Sequence, residues 1–93
     1  MGQPKISREV ELLAVVMEEC AEVQQEAAKL IRFGMDAQYQ GVKTVDKLER
    51  EVGDLTAMVS LLMKYGLVNE DKLEQYKKEK LEKLKMWSNL IED

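Results

Sequence analysis

Ninety-three residues with no break in composition describe one domain, residues 1–93, short enough that self-association would enlarge a modest core. The chain is 45% apolar and 34% charged, a globular balance, and its net charge of −4 argues against a dedicated nucleic-acid binder, which needs a basic face. Histidine is absent, which excludes His-based triads, His general bases and the usual zinc constellations.

The first predicted helix starts after Ser7, a residue suited to N-capping, and runs to Phe33, where Gly34 supplies a stop. The stretch 34–43, GMDAQYQGVK, reads as a linker bracketed by two glycines, with room for one short helical turn. A second helix is expected from Thr44 to Gly66. A third follows Asn69, with Glu70 and Asp71 in its first turn complementing the helix dipole, and runs to about Leu90. No strand-like alternation and no repeat is visible, so the fold class is all-α: three main helices in a bundle completed by oligomerisation. No apolar run reaches membrane-spanning length, and no signal-peptide core is seen near the N-terminus. The single cysteine, Cys20, fits a reducing compartment and reads as a small buried hydrophobe, so the expected location is the cytoplasm.

Helical geometry, at about 100° per residue, assigns the charges to faces. Measured from Glu19, Leu12 and Leu30 lie within about 20°, Val15 and Val23 within about 40°, and Glu26 and Glu22 at about −20° and −60°. Glu19, Glu22 and Glu26 therefore interrupt the apolar stripe, while Glu18 sits at its margin. The second helix repeats the pattern. Around Glu51, Met58 and Leu62 lie within about 20° and Leu55 within about 40°, with Asp54 at about −60°. Residues 55–63 carry no charge, which predicts a deeply packed helix, and Gly53, Thr56, Ala57 and Ser60 leave its far side small. The third helix is rich in lysine. Lys77 and Lys80 fall inside its apolar arc of Leu73, Leu81, Leu84, Trp87 and Ile91, and Glu74–Lys78 and Glu79–Lys83 are expected surface pairs.

Unpaired carboxylates on an apolar face are costly and protonate unless a cation compensates them. Lys77 and Lys80 are one candidate compensator, giving a structural salt-bridge core. A divalent ion is the other: acids at i and i+3 present two carboxylates side by side, and two such pairs make an all-oxygen site suited to Mg²⁺, with Mn²⁺ as a substitute. Carboxylate-only ligation argues against zinc and copper, and the missing histidines argue against a di-iron oxygenase.

The segments Glu19-Cys-Ala-Glu22 and Glu51-Val-Gly-Asp54, with "EECAE" and "LEREVGDL" around them, resemble the E-x-x-E…E-x-x-D signature of all-α NTP pyrophosphatases, the MazG-like superfamily. The likeness extends over roughly residues 9–87. It implies Mg²⁺ held by Glu19, Glu22, Glu51 and Asp54, hydrolysis of (d)NTP to (d)NMP and pyrophosphate, and a homodimer or homotetramer. On that reading Glu26, or else Glu18, would orient or deprotonate the attacking water, and Lys29, Lys77 and Lys80 would neutralise phosphates. The competing expectation is a non-enzymatic helical oligomer, or a nucleotide-binding regulator with an acidic core.

Overall fold

The computed structural model describes residues 6–91. Its elements are α1 (Arg8–Phe33), β1 (Gln38–Tyr39), β2 (Val42–Lys43), α2 (Thr44–Lys64) and α3 (Glu70–Trp87). The all-α class holds. The chain divides into two compact units: one takes α1, the hairpin and α2 as far as Leu62, and the other begins at Met63 and takes the end of α2 with α3.

Two helix starts are set by local hydrogen bonds. The Ser7 hydroxyl accepts from the Val10 N–H at 3.2 Å, and the Asn69 side chain accepts from the Lys72 N–H at 3.0 Å. Each satisfies a donor that the first helical turn leaves orphaned. Ser7→Ala should therefore lower the unfolding free energy by about 1 kcal/mol, read from urea denaturation with the m-value unchanged. At the other end of α1 Gly34 takes φ 98° and donates its N–H to the Leu30 carbonyl, a conformation that other residues adopt only under strain.

The linker is not a helical turn. It is a two-stranded antiparallel hairpin with Tyr39 opposite Val42 and Gln38 opposite Lys43. The two-residue loop needs positive φ twice, and Gln40 (51°) and Gly41 (80°) supply it. The hairpin is tied down where the Thr44 N–H bonds the Ala37 carbonyl at 2.9 Å, and Thr44 is buried there. This closure returns the chain to the start of α2, which brings α2 back alongside α1.

In the first unit Leu12 and Leu30 are buried, and Val15, Val16 and Val23 are half-buried on the same face of α1. Phe33, at the end of α1, is exposed. Leu12 and Val15 line one cavity together with Met58 and Leu61 of α2, so the two stripes meet across the unit. The expectation of a deeply packed α2 is corrected: Leu55, Met58, Val59, Leu61 and Leu62 are only half-buried, because the unit offers α2 a single helical neighbour. A Cβ on Gly53 would meet nothing within 4 Å, so its small face is open. Cys20 is likewise exposed rather than buried. It sits about 100° around α1 from Glu19, off the inward stripe.

In the second unit α3 ends at Trp87, three residues short of the expected Leu90. The Ser88 N–H and hydroxyl both donate to the Leu84 carbonyl, and the Leu90 N–H then bonds the Ser88 hydroxyl. A serine folding back on the last turn competes with helix continuation. The ion pairs of α3 run i,i+3 rather than the expected i,i+4: Lys77–Glu74 at 3.1 Å and Lys85–Glu82 at 3.2 Å. Glu79 instead accepts from the Gln75 amide at 3.4 Å. Among the described residues no helix is long and apolar enough to cross a membrane.

Candidate metal centre

α1 carries Glu19 and Glu22 three residues apart, hence on neighbouring turns of one face. α2 brings Glu51 to the same place. One carboxylate oxygen from each of the three lies within 4.8 Å of the others. Glu19 and Glu51 are half-buried and Glu22 is exposed, so the cluster is lined by protein on one side and open on the other. Asp54 is exposed and stands outside this trio, yet close enough for its charge to act on both Glu19 and Glu51.

The electrostatics are those of acids forced together. Glu51 is pushed up to about 7, first by a carboxyl–carboxyl hydrogen bond with Glu22, then by burial, then by the charges of Glu22, Asp54 and Glu19. Glu19 is also raised, chiefly by burial and then by Glu22, Asp54 and Glu18. One oxygen of Glu19 and one of Glu51 are buried without a hydrogen-bond partner. A carboxylate oxygen that has lost water and gained no donor is unfavourable. The cluster must take up either a proton or a cation.

The donor set fits a hard divalent cation. All donors are carboxylate oxygens, two of them buried and unsatisfied, and the open side leaves room for water, as Mg²⁺ prefers. Glu19, Glu22 and Glu51 would hold such an ion, with Asp54 at the margin.

Glu26 lies one turn beyond Glu22 and is 8% exposed. Its Oε1 accepts from the Lys29 ammonium at 3.3 Å, and its Oε2 is buried without a partner. Lys29 is thus engaged by Glu26, with its ammonium directed to that carboxylate. Glu18 is exposed at the edge of the helix, as its angular position indicates. Lys77 and Lys80 belong to the second unit, where both are exposed and Lys77 is engaged by Glu74.

Sequence reasoning missed a neighbouring cavity. A half-open hollow of about 530 Å³ is lined by Lys29, Phe33, Ala37, Gln38, Tyr39 and Thr44, beginning one turn beyond Glu26. Two aromatic rings and one side-chain amide converge there, and the Lys47 ammonium lies 5.6 Å from the Tyr39 ring centre. Tyr39 reaches the cavity only because the linker is a hairpin. The signal available in the sequence was Gln-Gly after Tyr39, a pair whose second residue tolerates the positive φ of a tight turn.

No protein-family model matches this chain, and comparison with characterised proteins and with solved structures finds no match to either.

Proposed function

We propose that the chain is a Mg²⁺-dependent nucleoside triphosphate pyrophosphohydrolase that converts (d)NTP to (d)NMP and pyrophosphate in the cytoplasm, serving nucleotide-pool housecleaning. The observation that carries the reading is the convergence of Glu19, Glu22 and Glu51 from two helices, with partnerless buried oxygens on Glu19 and Glu51. The likeness of the E-x-x-E and E-x-x-D segments to all-α NTP pyrophosphatases supports it and supplies the reaction class.

In this reading Glu19, Glu22, Glu51 and Asp54 hold the metal. When bound, the ion neutralises phosphate charge and lowers the pKa of a water poised for attack. Glu26, a turn away and held by Lys29, orients or deprotonates that water through its unpartnered oxygen. The triphosphate chain extends into solvent on the open side, with Lys29 as the phosphate-neutralising candidate of this unit. The cavity of Phe33, Gln38 and Tyr39 receives the base. Glu22 and Phe33 are 11 residues apart on α1, a rise of about 16 Å, and the cavity opens on the near side of Phe33, at Lys29. Aromatic rings stack on any base, and the Gln38 amide offers both a donor and an acceptor to its edge.

The test is a panel of natural and modified triphosphates with Mg²⁺, measuring pyrophosphate against orthophosphate. Pyrophosphate release is expected, and orthophosphate or no turnover on any substrate would refute the assignment. Tyr39→Ala should raise KM for the preferred substrate roughly fivefold to a hundredfold, the loss of about 1–3 kcal/mol of stacking, with little change in kcat. A KM left untouched would remove the base from this cavity.

A further inference from the structure

The face of α1 opposite the acids is also apolar. Val10, Ala14, Met17, Ala21, Gln24, Ala28 and Ile31 all lie within about 60° of the point opposite Glu19. Their spacing alternates four and three residues from Val10 to Ile31, a heptad seam with alanine at every a position and Val, Met, Gln and Ile at d. All are exposed, and the large ones heavily so: Val10 is 54%, Met17 72% and Ile31 84% exposed. A helix apolar on two opposite faces is half finished in a single chain.

We propose that a second copy of this chain packs on that seam, α1 against α1, antiparallel. The inference rests on the α1 surface alone and is independent of the reaction proposed above. Antiparallel packing sets each a layer against a d layer, so every alanine meets a larger residue: Ala14 against Ile31, Ala21 against Gln24, and Ala28 against Met17 of the second copy. Small residues facing large ones fill the interface without voids and permit close axes. A parallel pair would instead stack alanine on alanine and methionine on methionine.

Charge and seam overlap together choose the register. Along one flank of the seam run Glu11, Glu18, Gln25 and Arg32. With Ala21 opposite Gln24, Glu11 of each copy meets Arg32 of the other at both ends, and Glu18 meets Gln25. Sliding by one heptad in one direction places Glu18 against Glu18 and Cys20 against Cys20, which charge repulsion disfavours; sliding in the other sets Glu18 against Arg32 but carries Ala14 and Met17 past the end of the partner helix and loses their layers. The favoured register also brings the two Gln24 amides into adjacent central layers, a polar pair able to fix alignment as buried polar seam residues do. On the other flank Cys20 then faces Ala27 of the second copy.

The lone cysteine makes the register measurable. In Ala27→Cys, copper-phenanthroline oxidation should give a disulfide-linked dimer on a non-reducing gel, while the wild-type chain should stay uncrosslinked. Crosslinking of the wild type through Cys20 would overturn the register. Ala21→Arg places a charge beside its own symmetry mate at the centre. It should weaken association in sedimentation equilibrium by roughly a hundredfold, since like charges at an interface cost several kcal/mol, while circular dichroism keeps its helical signal because position 21 is exposed in the single chain. An Ala21→Arg variant that associates as the wild type does would overturn the interface, and so would a wild-type chain that stays monomeric.

Discussion

Glu51→Gln should have opposite consequences with and without metal. In EDTA above pH 7.5 the variant should melt at or above the temperature of the wild type. In Mg²⁺ the wild type should gain thermal stability and the variant should not. The first result follows from the repulsion in the cluster: Glu22, Asp54 and Glu19 all hold Glu51 towards its protonated form, so a neutral isostere removes a penalty. A glutamine also preserves the contact with Glu22, because its amide can donate where the protonated acid did. The second follows from counting donors. Losing the α2 carboxylate of the trio leaves both acids on one helix and nothing to close the site. Turnover should then fall on the order of 10²–10³-fold or more, the range for removing a principal charge-stabilising group. Calorimetric melts of both proteins with and without Mg²⁺ measure the stability pair, and a pyrophosphate assay measures the third. A variant less stable than the wild type in EDTA would refute the repulsive cluster. A variant that keeps its Mg²⁺-induced shift would remove Glu51 from the ligand set.

Helix starts and the α1 stop were legible because they are decided within a few residues. Ser7, Gly34 and Asn69 act through a single hydrogen bond or a single positive φ, and those depend on residue type. The hairpin was not legible. Its strands are two residues each, too short to show alternation, and one turn position is Gln40 rather than glycine or asparagine. The end of α3 was misplaced for a similar reason: periodicity continues to Leu90, but the Ser88 hydroxyl claims the Leu84 carbonyl first.

The acidic cluster was legible through angle. Charges at Glu19, Glu22, Glu26 and Glu51 sit where the apolar stripe predicts leucine or valine, and burial of Glu26 follows from its place on the inward stripe beside Leu12 and Leu30. Cys20 and α2 depart from expectation because residue type and hydropathy do not specify what lies opposite a helix face. Cys20 points off the inward face, and an uncharged run such as 55–63 is buried only as deeply as its neighbours allow. On the outer face of α1, Met17 and Ile31 likewise lie exposed.

Stability in the absence of metal should fall as pH rises from about 5 to about 8, and saturating Mg²⁺ should cancel or reverse the trend. The sign follows from proton linkage. In the unfolded chain Glu51 titrates at its ordinary 4.5, and in the folded chain at about 7. Between those values the folded state binds more protons than the unfolded state, so unfolding releases them and stability declines with pH. Below the lower value both states are protonated and the group contributes nothing. Above the upper value the penalty is complete and the curve levels. Glu19 acts in the same direction, which steepens the slope. A divalent ion competes with those protons, so its affinity grows through the same interval and its stabilisation is largest where the metal-free chain is weakest. Urea titrations in EDTA and in Mg²⁺ at pH 5, 6, 7 and 8 give both curves. Glu51→Gln should flatten the EDTA curve and abolish the separation between the two. A metal-free chain that becomes more stable from pH 5 to pH 8 would show that the three carboxylates are not crowded in solution, and the case for a cation between them would go with it.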